Sequence, residues 1–273
     1  MAYDVYSRHD SRIGIFPQAE WGTGAATNAA FKELANGPFD FTRDVKLRRP
    51  DRSFASTSGG QRYPDIRDVQ NDNKGAAPTI TISGDVRKDD LSMLLYSVMQ
   101  NVSEAGTTPF LKTFTFPTTQ PDFTLDGGFF STICAWHPVA SQSHALVDAI
   151  INELTFSCAP GSGDDRLQYN ATFIGRGGIV DSWNPSGTWT RADEDHFYFH
   201  DLAGITAGAS ALDILSIEWT IANNALPVGV ELDSGNFQTF ALPRYSVTGK
   251  IRVLYGSTIS LSLIHISEPT RPY

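Results

Sequence analysis

From about Thr79 onward the chain alternates apolar and polar residues in short runs, the period of a half-buried strand. Thr79–Val86 opens the series with β-branched residues, and Lys112–Phe116, Phe129–Trp136 and Ile150–Cys158 continue it. Leu167–Ile174, Ile214–Ile221, Thr239–Leu242 and Ser246–Tyr255 complete it. In Ile150–Cys158 the alternation sets Leu154, Phe156 and Cys158 on one face. Gly161-Ser162-Gly163-Asp164-Asp165 is a turn signal, so this run and Leu167–Ile174 are predicted to form a hairpin.

One stretch changes period. Leu91, Leu94, Leu95, Val98 and Met99 fall at i, i+3, i+4, i+7 and i+8, an apolar stripe down one side of a helix. The expected role of the stripe is to face a core rather than a cofactor. Asp89 and Asp90 suit the first turn of this helix, where carboxylates meet unpaired backbone N–H groups.

Before about Pro78 the periodicity is weak and turn signals are frequent, among them Asn36-Gly37-Pro38, Ser58-Gly59-Gly60 and Asn71-Asp72-Asn73-Lys74-Gly75. This region predicts loops, a short helix near Ala29–Leu34 and one or two edge strands. Glu153–Gly175 and Glu218–Gly249 echo each other as strand, polar turn and strand, too loosely for a sequence repeat. The expected fold is therefore mainly β: a β-sandwich or open barrel with one flanking amphipathic helix and a long N-terminal loop region. A single domain over residues 1–260 is expected.

Composition narrows the function. The 273 residues carry 21 Lys and Arg against 30 Asp and Glu, a net charge of −9. Such a chain is a poor candidate for gripping DNA by phosphate neutralisation, although it can surround DNA and repel it. The first ten residues lack an apolar run, so no signal peptide is expected. No apolar run approaches the roughly 20 residues of a membrane helix, and no membrane association is expected. Cys134 and Cys158 both lie in apolar-alternating stretches and read as buried thiols, with a disulfide or a metal pair as the alternatives.

The chemistry-bearing motifs are sparse. The chain holds no G-x-x-x-x-G-K-[ST] loop, no G-x-S-x-G elbow, no H-E-x-x-H and no C-x-x-C. No cofactor and no catalytic residues are expected. In a strand, His196, Tyr198 and His200 would share a face, with carboxylates at both ends of Asp193–Asp201. Positions i and i+4 lie about 13 Å apart in a strand, so one metal ion would need a bend or a partner subunit to bring them together. The other reading is an exposed aromatic edge strand. Asp164-Asp165 has the residue types of a glycosidase pair, but sits beside turn glycines where Asp is common for backbone reasons. Arg43, Lys46, Arg48 and Arg49 form the densest basic patch, either a contact for the acidic face of a neighbouring subunit or a solvated loop.

The end of the chain stands apart. Leu261–Arg271 resembles the frame translation of a transposon-end adapter used in sequencing libraries. Residues 261–273 are expected to be foreign to the natural protein, with the native C-terminus missing.

The order of these pieces resembles phage tail tube proteins of long-tailed phages. The resemblance rests on Ile13–Thr23 followed by Phe31-Lys32-Glu33-Leu34, then on Ser83-Gly84-Asp85-Val86 leading into the Leu91–Met99 stripe, and on Val247–Val253. It spans most of residues 13–256 and departs from the family in the long 43–78 stretch. It implies a β-sandwich with a flanking helix, joined sheet edge to sheet edge into hexameric rings that stack into a tube in the virion tail. It further implies a structural, non-enzymatic role, assembly in the host cytoplasm, and contacts with tape measure and terminator proteins. DNA would pass through an acidic lumen without specific binding, and the arginine-rich loop would be a ring-to-ring contact. Other virion proteins, such as a tail terminator or head–tail connector, and a monomeric carbohydrate-binding sandwich, for whose aromatic cleft Trp183 and Trp189 are the only nearby pair, are the competing readings. A hydrolase, marked by two facing carboxylates in a pocket, is a further one.

Overall fold

In the computed structural model one strand organises the architecture. The structure describes residues 12–19, 21–22, 24–26, 28–36, 41–42, 46–47, 71–72, 77–106, 111–117, 129–137, 143–159, 165–177, 180–181, 186–191, 196–199, 206–207, 210–211, 214–230 and 237–254. The first half of the chain contributes β1 (Arg12–Pro17), β2 (Phe31–Asn36), β3 (Phe41–Thr42), β4 (Lys46–Leu47), β5 (Asn71–Asp72) and β6 (Thr79–Asp85). Then come helix α1 (Lys88–Met99), β7 (Asn101–Ala105), β8 (Leu111–Thr115), β9 (Ser131–Trp136), β10 (His144–Cys158) and β11 (Gln168–Ile174). The remainder holds β12 (Val180–Asp181), β13 (Trp189–Arg191), β14 (Thr206–Ala207), β15 (Ser210–Ala211), β16 (Ile214–Ala222), β17 (Leu226–Val230), β18 (Phe237–Ala241) and β19 (Ser246–Val253). The fold is mainly β, as the alternation predicts.

β10 is 15 residues long and changes sheets along its length. Its first part pairs with β9 and β12, its second with β11 and β16, all antiparallel. Between the two parts the register shifts at Leu146/Ala149 and again at Ile151/Glu153. Asp148 sits in the first shift with φ of 52°, a left-handed conformation that Asp tolerates better than most side chains. A strand bent this way turns a sheet corner and lets one layer fold over the other. The first layer runs β13-β2-β1-β9-β10; the second runs β3-β6-β11-β10-β16-β19.

The corner is held by buried polar contacts. Asp148 is 1% exposed and its Oδ1 accepts from Gln18 Nε2 at 2.7 Å and from the Gly22 N–H at 3.0 Å. The Arg176 guanidinium lies 3.4 Å from Asp148 Oδ2 and stacks over the Trp21 ring. Gln18 Oε1 in turn accepts from the Asp148 N–H and from Thr132 Oγ1. Burial pushes the Asp148 carboxyl up from its ordinary range, while the Gly22 N–H, the Gln18 amide and Arg176 pull it back down.

The main core lies between the layers. Ile13, Ile15, Leu34, Ile133 and Leu146 from the first meet Ile80, Ile82, Leu154, Phe156 and Phe173 from the second. Tyr169 reaches across to donate its hydroxyl to the Leu34 carbonyl at 3.4 Å. Burial and the nearby Asp90 carboxylate push that phenol up. Helix α1 lies over β10 on the same side, with Leu94 and Val98 fully buried and Leu91, Leu95 and Met99 packed against the core. Asp90 in its first turn is fully buried and ion-paired with Lys32 at 3.1 Å, so this carboxylate anchors the helix to β2. A smaller cluster of Phe129, Phe130, Ile150, Ile174 and Phe240 closes one end.

Three expectations change. The segment expected to start a helix near Ala29–Leu34 is strand β2, because pairing with β1 and burial of Phe31, Glu33 and Leu34 override the helix propensity of Phe-Lys-Glu-Leu. The strand expected to begin at Ile150 begins six residues earlier, at His144. The loose echo is a simple hairpin in β10–β11, but β16 and β19 are separated by an inserted hairpin, β17–β18.

Candidate assembly edge and polar sheet face

The second layer has two unlike faces, each read from the register. On one, the rows run Ile82–Ala171–Leu154–Ile221–Val247 and Gly84–Tyr169–Phe156–Trp219–Gly249. This face meets α1 and the first layer. On the other, Ser83–Asn170–Thr155–Thr220–Thr248 forms the central row. Thr81–Thr172–Glu153–Ala222–Ser246 lies on one side of it and Asp85–Gln168–Ser157–Glu218–Lys250 on the other. No described element covers this second face. Its hydroxyls pair across strands: Thr81 Oγ1 lies 3.1 Å from Thr172 Oγ1, and Thr155 Oγ1 lies 2.8 Å from Thr220 Oγ1. Its charges pair as well, Lys250 Nζ to Glu218 at 3.0 Å and Arg166 to Asp85 at 2.8 Å.

The edge of the same layer is equally distinctive. Among the described strands β19 pairs with β16 alone, and it is eight residues long. Val247 and Ile251 point to the apolar side yet remain 46% and 52% exposed, because α1 and the first layer end short of them. At the opposite end of the layer, β3 covers only Thr79 and Ile80 of β6, so the outer edge of Thr81–Asp85 is bare among the described strands. A long flat edge with apolar side chains is the feature that monomeric β proteins avoid.

Other candidates resolve differently. Lys46 lies in β4, opposite Asp72 of β5, whereas Arg43, Arg48 and Arg49 fall outside the described residues. The segment expected as an exposed aromatic edge strand is instead a seal. Phe197 donates to the Val86 carbonyl and accepts from Leu167, and both Phe197 and Phe199 pack on the core. His196 lies 4.0 Å from Asp85 and bridges Arg87; His200 and Asp193–Asp195 lie outside the described residues. No group of three His, Cys, Asp or Glu able to hold a metal occurs among the described residues. Asp165 is exposed and uses its backbone carbonyl to accept from Phe199, and Asp164 lies outside the described residues. Cys134 and Cys158 are buried thiols, neither in a disulfide, and burial pushes the Cys134 thiol well up. Trp189 lies flat across Gly14, where a Cβ would have no room, and stacks on Phe31 at 5.5 Å. That ring is spent on packing. Trp183 lies outside the described residues. Among the described residues no helix is long and apolar enough to cross a membrane.

A β-sandwich whose second layer keeps an open edge and a bare polar face is built like a structural subunit. A family model described as phage tail tube protein matches residues 8–265, nearly the whole chain, and the chain belongs to that family. It is a structural protein of the phage tail tube. No curated protein matches the sequence.

Proposed function

We propose that copies of this chain join side by side into rings that stack as the tail tube through which DNA passes. The observation that carries the reading is β19, a long edge strand with two exposed apolar side chains on the core side of its sheet. Each of the steps from β6 through β11, β10 and β16 to β19 is antiparallel, so β6 and β19 run in the same direction. β19 of one copy therefore adds to the bare part of β6 in the next as a parallel strand, a head-to-tail contact that generates a closed ring. Without stagger, Val247 would then continue the neighbour's Ile82 row and Ile251 would come level with its Val86, beside its α1. Without stagger, Lys250 would lie level with the neighbour's Asp85. Six copies per ring is the number the family resemblance implies, and tape measure and terminator proteins are the partners expected at the tube ends. On this reading the tube is assembled in the host cytoplasm and carried in the virion. Residues 1–260 would form the assembling domain, with 261–273 dispensable.

Electron microscopy of the purified chain at high concentration tests this. Rings or tubes with a central channel are expected, and Val247→Asp/Ile251→Asp should stay monomeric with an unchanged unfolding midpoint. Assembly of the double variant would sink the edge assignment. A monomer at all concentrations, both with and without residues 261–273, would sink the tube reading itself.

A further inference from the structure

The bare edge of β6 is bounded at both ends. β3 is two residues long and pairs Phe41 with Ile80 and Thr42 with Thr79, so it occupies the start of that edge. Helix α1 begins at Lys88 and closes the other end. Between these limits the backbone groups have a fixed direction. The Val86 N–H bonds to the Leu167 carbonyl and the Gly175 N–H to the Pro78 carbonyl, so the even-numbered residues of β6 turn their N–H and C=O groups toward β11. Thr81, Ser83 and Asp85 therefore point theirs outward. On the other edge, the Asn223 N–H bonds to the Asn152 carbonyl, which directs Ala222, Thr220 and Glu218 of β16 toward β19. Their partners Ser246, Thr248 and Lys250 face back, and Val247, Gly249 and Ile251 present their groups at the outer edge.

Resting on the tail tube reading, we infer that β19 joins the next copy's β6 without stagger and that β3 is the stop that sets this register. In a parallel pair, a residue bonded to the partner strand spans the two residues that flank the one opposite it. With Val247 opposite the neighbour's Ile82, the Val247 N–H donates to the neighbour's Thr81 carbonyl, and the Val247 carbonyl accepts from its Ser83 N–H. Gly249, opposite Gly84, bonds Ser83 and Asp85 in the same way, and the Ile251 N–H reaches the Asp85 carbonyl. A slip of one residue would turn the apolar side chains of β19 to the polar face. A slip of two toward the start of β6 would put Ser246 and Val247 where the neighbour's Thr42 and Phe41 already sit. A slip of two the other way would leave the Thr81 carbonyl beyond the reach of β19 and carry Ile251 level with Lys88, inside the helix. Without β3, all eight residues of β19 would run beside Thr79–Val86, a longer overlap, so the two-residue strand is what holds the register.

Disulfide trapping between copies reads the register. β6 and β19 lie on opposite sides of the layer, so a cysteine on each can meet only across a seam between copies. Thr81, Ser83 and Thr248 are exposed, and both native cysteines are buried. In assembled particles under mild oxidation, Thr248→Cys/Ser83→Cys should give a ladder of reducible multimers. Thr248→Cys/Thr81→Cys and Thr248→Cys/Asp85→Cys hold the two backbones about 8 Å apart and should cross-link at least about tenfold less. A dominant cross-link in either slipped pair would overturn the register and leave the tube standing. Particles without any of the three cross-links would overturn the seam itself. Absence of particles and of all cross-links would sink the tube reading and this inference together. For the stop, Thr42→Pro removes the N–H that faces Thr79 and loosens β3. Added to Thr248→Cys/Thr81→Cys, it should raise that cross-link to the yield of the unslipped pair. A yield that stays low, with an unchanged unfolding midpoint, would show that β3 does not set the register.

Discussion

Leu154 on β10 and Val247 on β19 occupy the same row of the same sheet, with only β16 between them and the same side turned to the core. Leu154 is fully buried; Val247 is 46% exposed. Nothing in the local chemistry separates them, since both lie in regular strands with apolar residues at alternate places. What differs is the cover. Helix α1 and the first layer reach across β10 and stop before β19. Burial here is a property of the neighbours and not of the residue.

The strongest way to break this comparison is truncation at both ends of it. Phe156→Ala removes a fully buried ring and should cost about 3–5 kcal/mol, read from urea unfolding of the monomer. Ile251→Ala should change monomer stability by less than about 0.5 kcal/mol, since its side chain gains little cover from its own chain. Similar losses at the two sites would mean that the edge is covered in solution.

The corner that lets one layer cover the other is the next lever. Asp148→Ala leaves the Gly22 N–H, Gln18 and Arg176 facing a missing acceptor and should cost about 3 kcal/mol. The wild-type carboxyl also has a signed pH dependence. Its folded value is raised above the ordinary 3.8, so the folded state binds this proton more tightly than the unfolded chain. Its contribution to stability therefore falls as pH rises through the window between 3.8 and the raised value, and grows as pH is lowered through that window. Unfolding of wild type and Asp148→Asn, followed across that range, should show the difference moving in favour of wild type as pH falls; the opposite slope would refute the assignment.

The smallest effect sharpens the comparison at the two ends of one row. Gly84 and Gly249 flank Tyr169–Phe156–Trp219. A Cβ at Gly84 would sit 3.2 Å from the Tyr169 ring, whereas one at Gly249 meets nothing closer than 3.8 Å. Gly84→Ala should lower stability by about 1 kcal/mol or more as the buried tyrosine shifts. Gly249→Ala should leave the monomer unchanged or raise its stability by up to about 1 kcal/mol, through lost freedom of the unfolded chain. Thermal unfolding of the two variants distinguishes them.

Much of the fold was legible from the residues. The period of two in Ile150–Cys158, Leu167–Ile174 and Ile214–Ile221 named the strands of the second layer and which side faced the core. The stripe from Leu91 to Met99 named the helix. Legibility failed where a residue's role came from distant partners. Val147-Asp148 interrupts the alternation and Asp reads as a turn residue, so the early part of β10 and its corner were invisible; the acceptor at Asp148 has meaning only beside Gln18, Gly22 and Arg176, each far away in the chain.

The sequence by itself determined which segments alternate, which faces are apolar, and that Ser, Thr and Asn crowd the opposite sides of β6, β11, β10, β16 and β19. Those are local facts, set by backbone geometry and side-chain chemistry within a few residues. Only the tertiary structure decided which apolar face receives a cover and which strand is left at the edge. Val247 and Leu154 look alike along the chain, and the helix that buries one and misses the other is placed by long-range contacts with β10 and with Lys32 of β2.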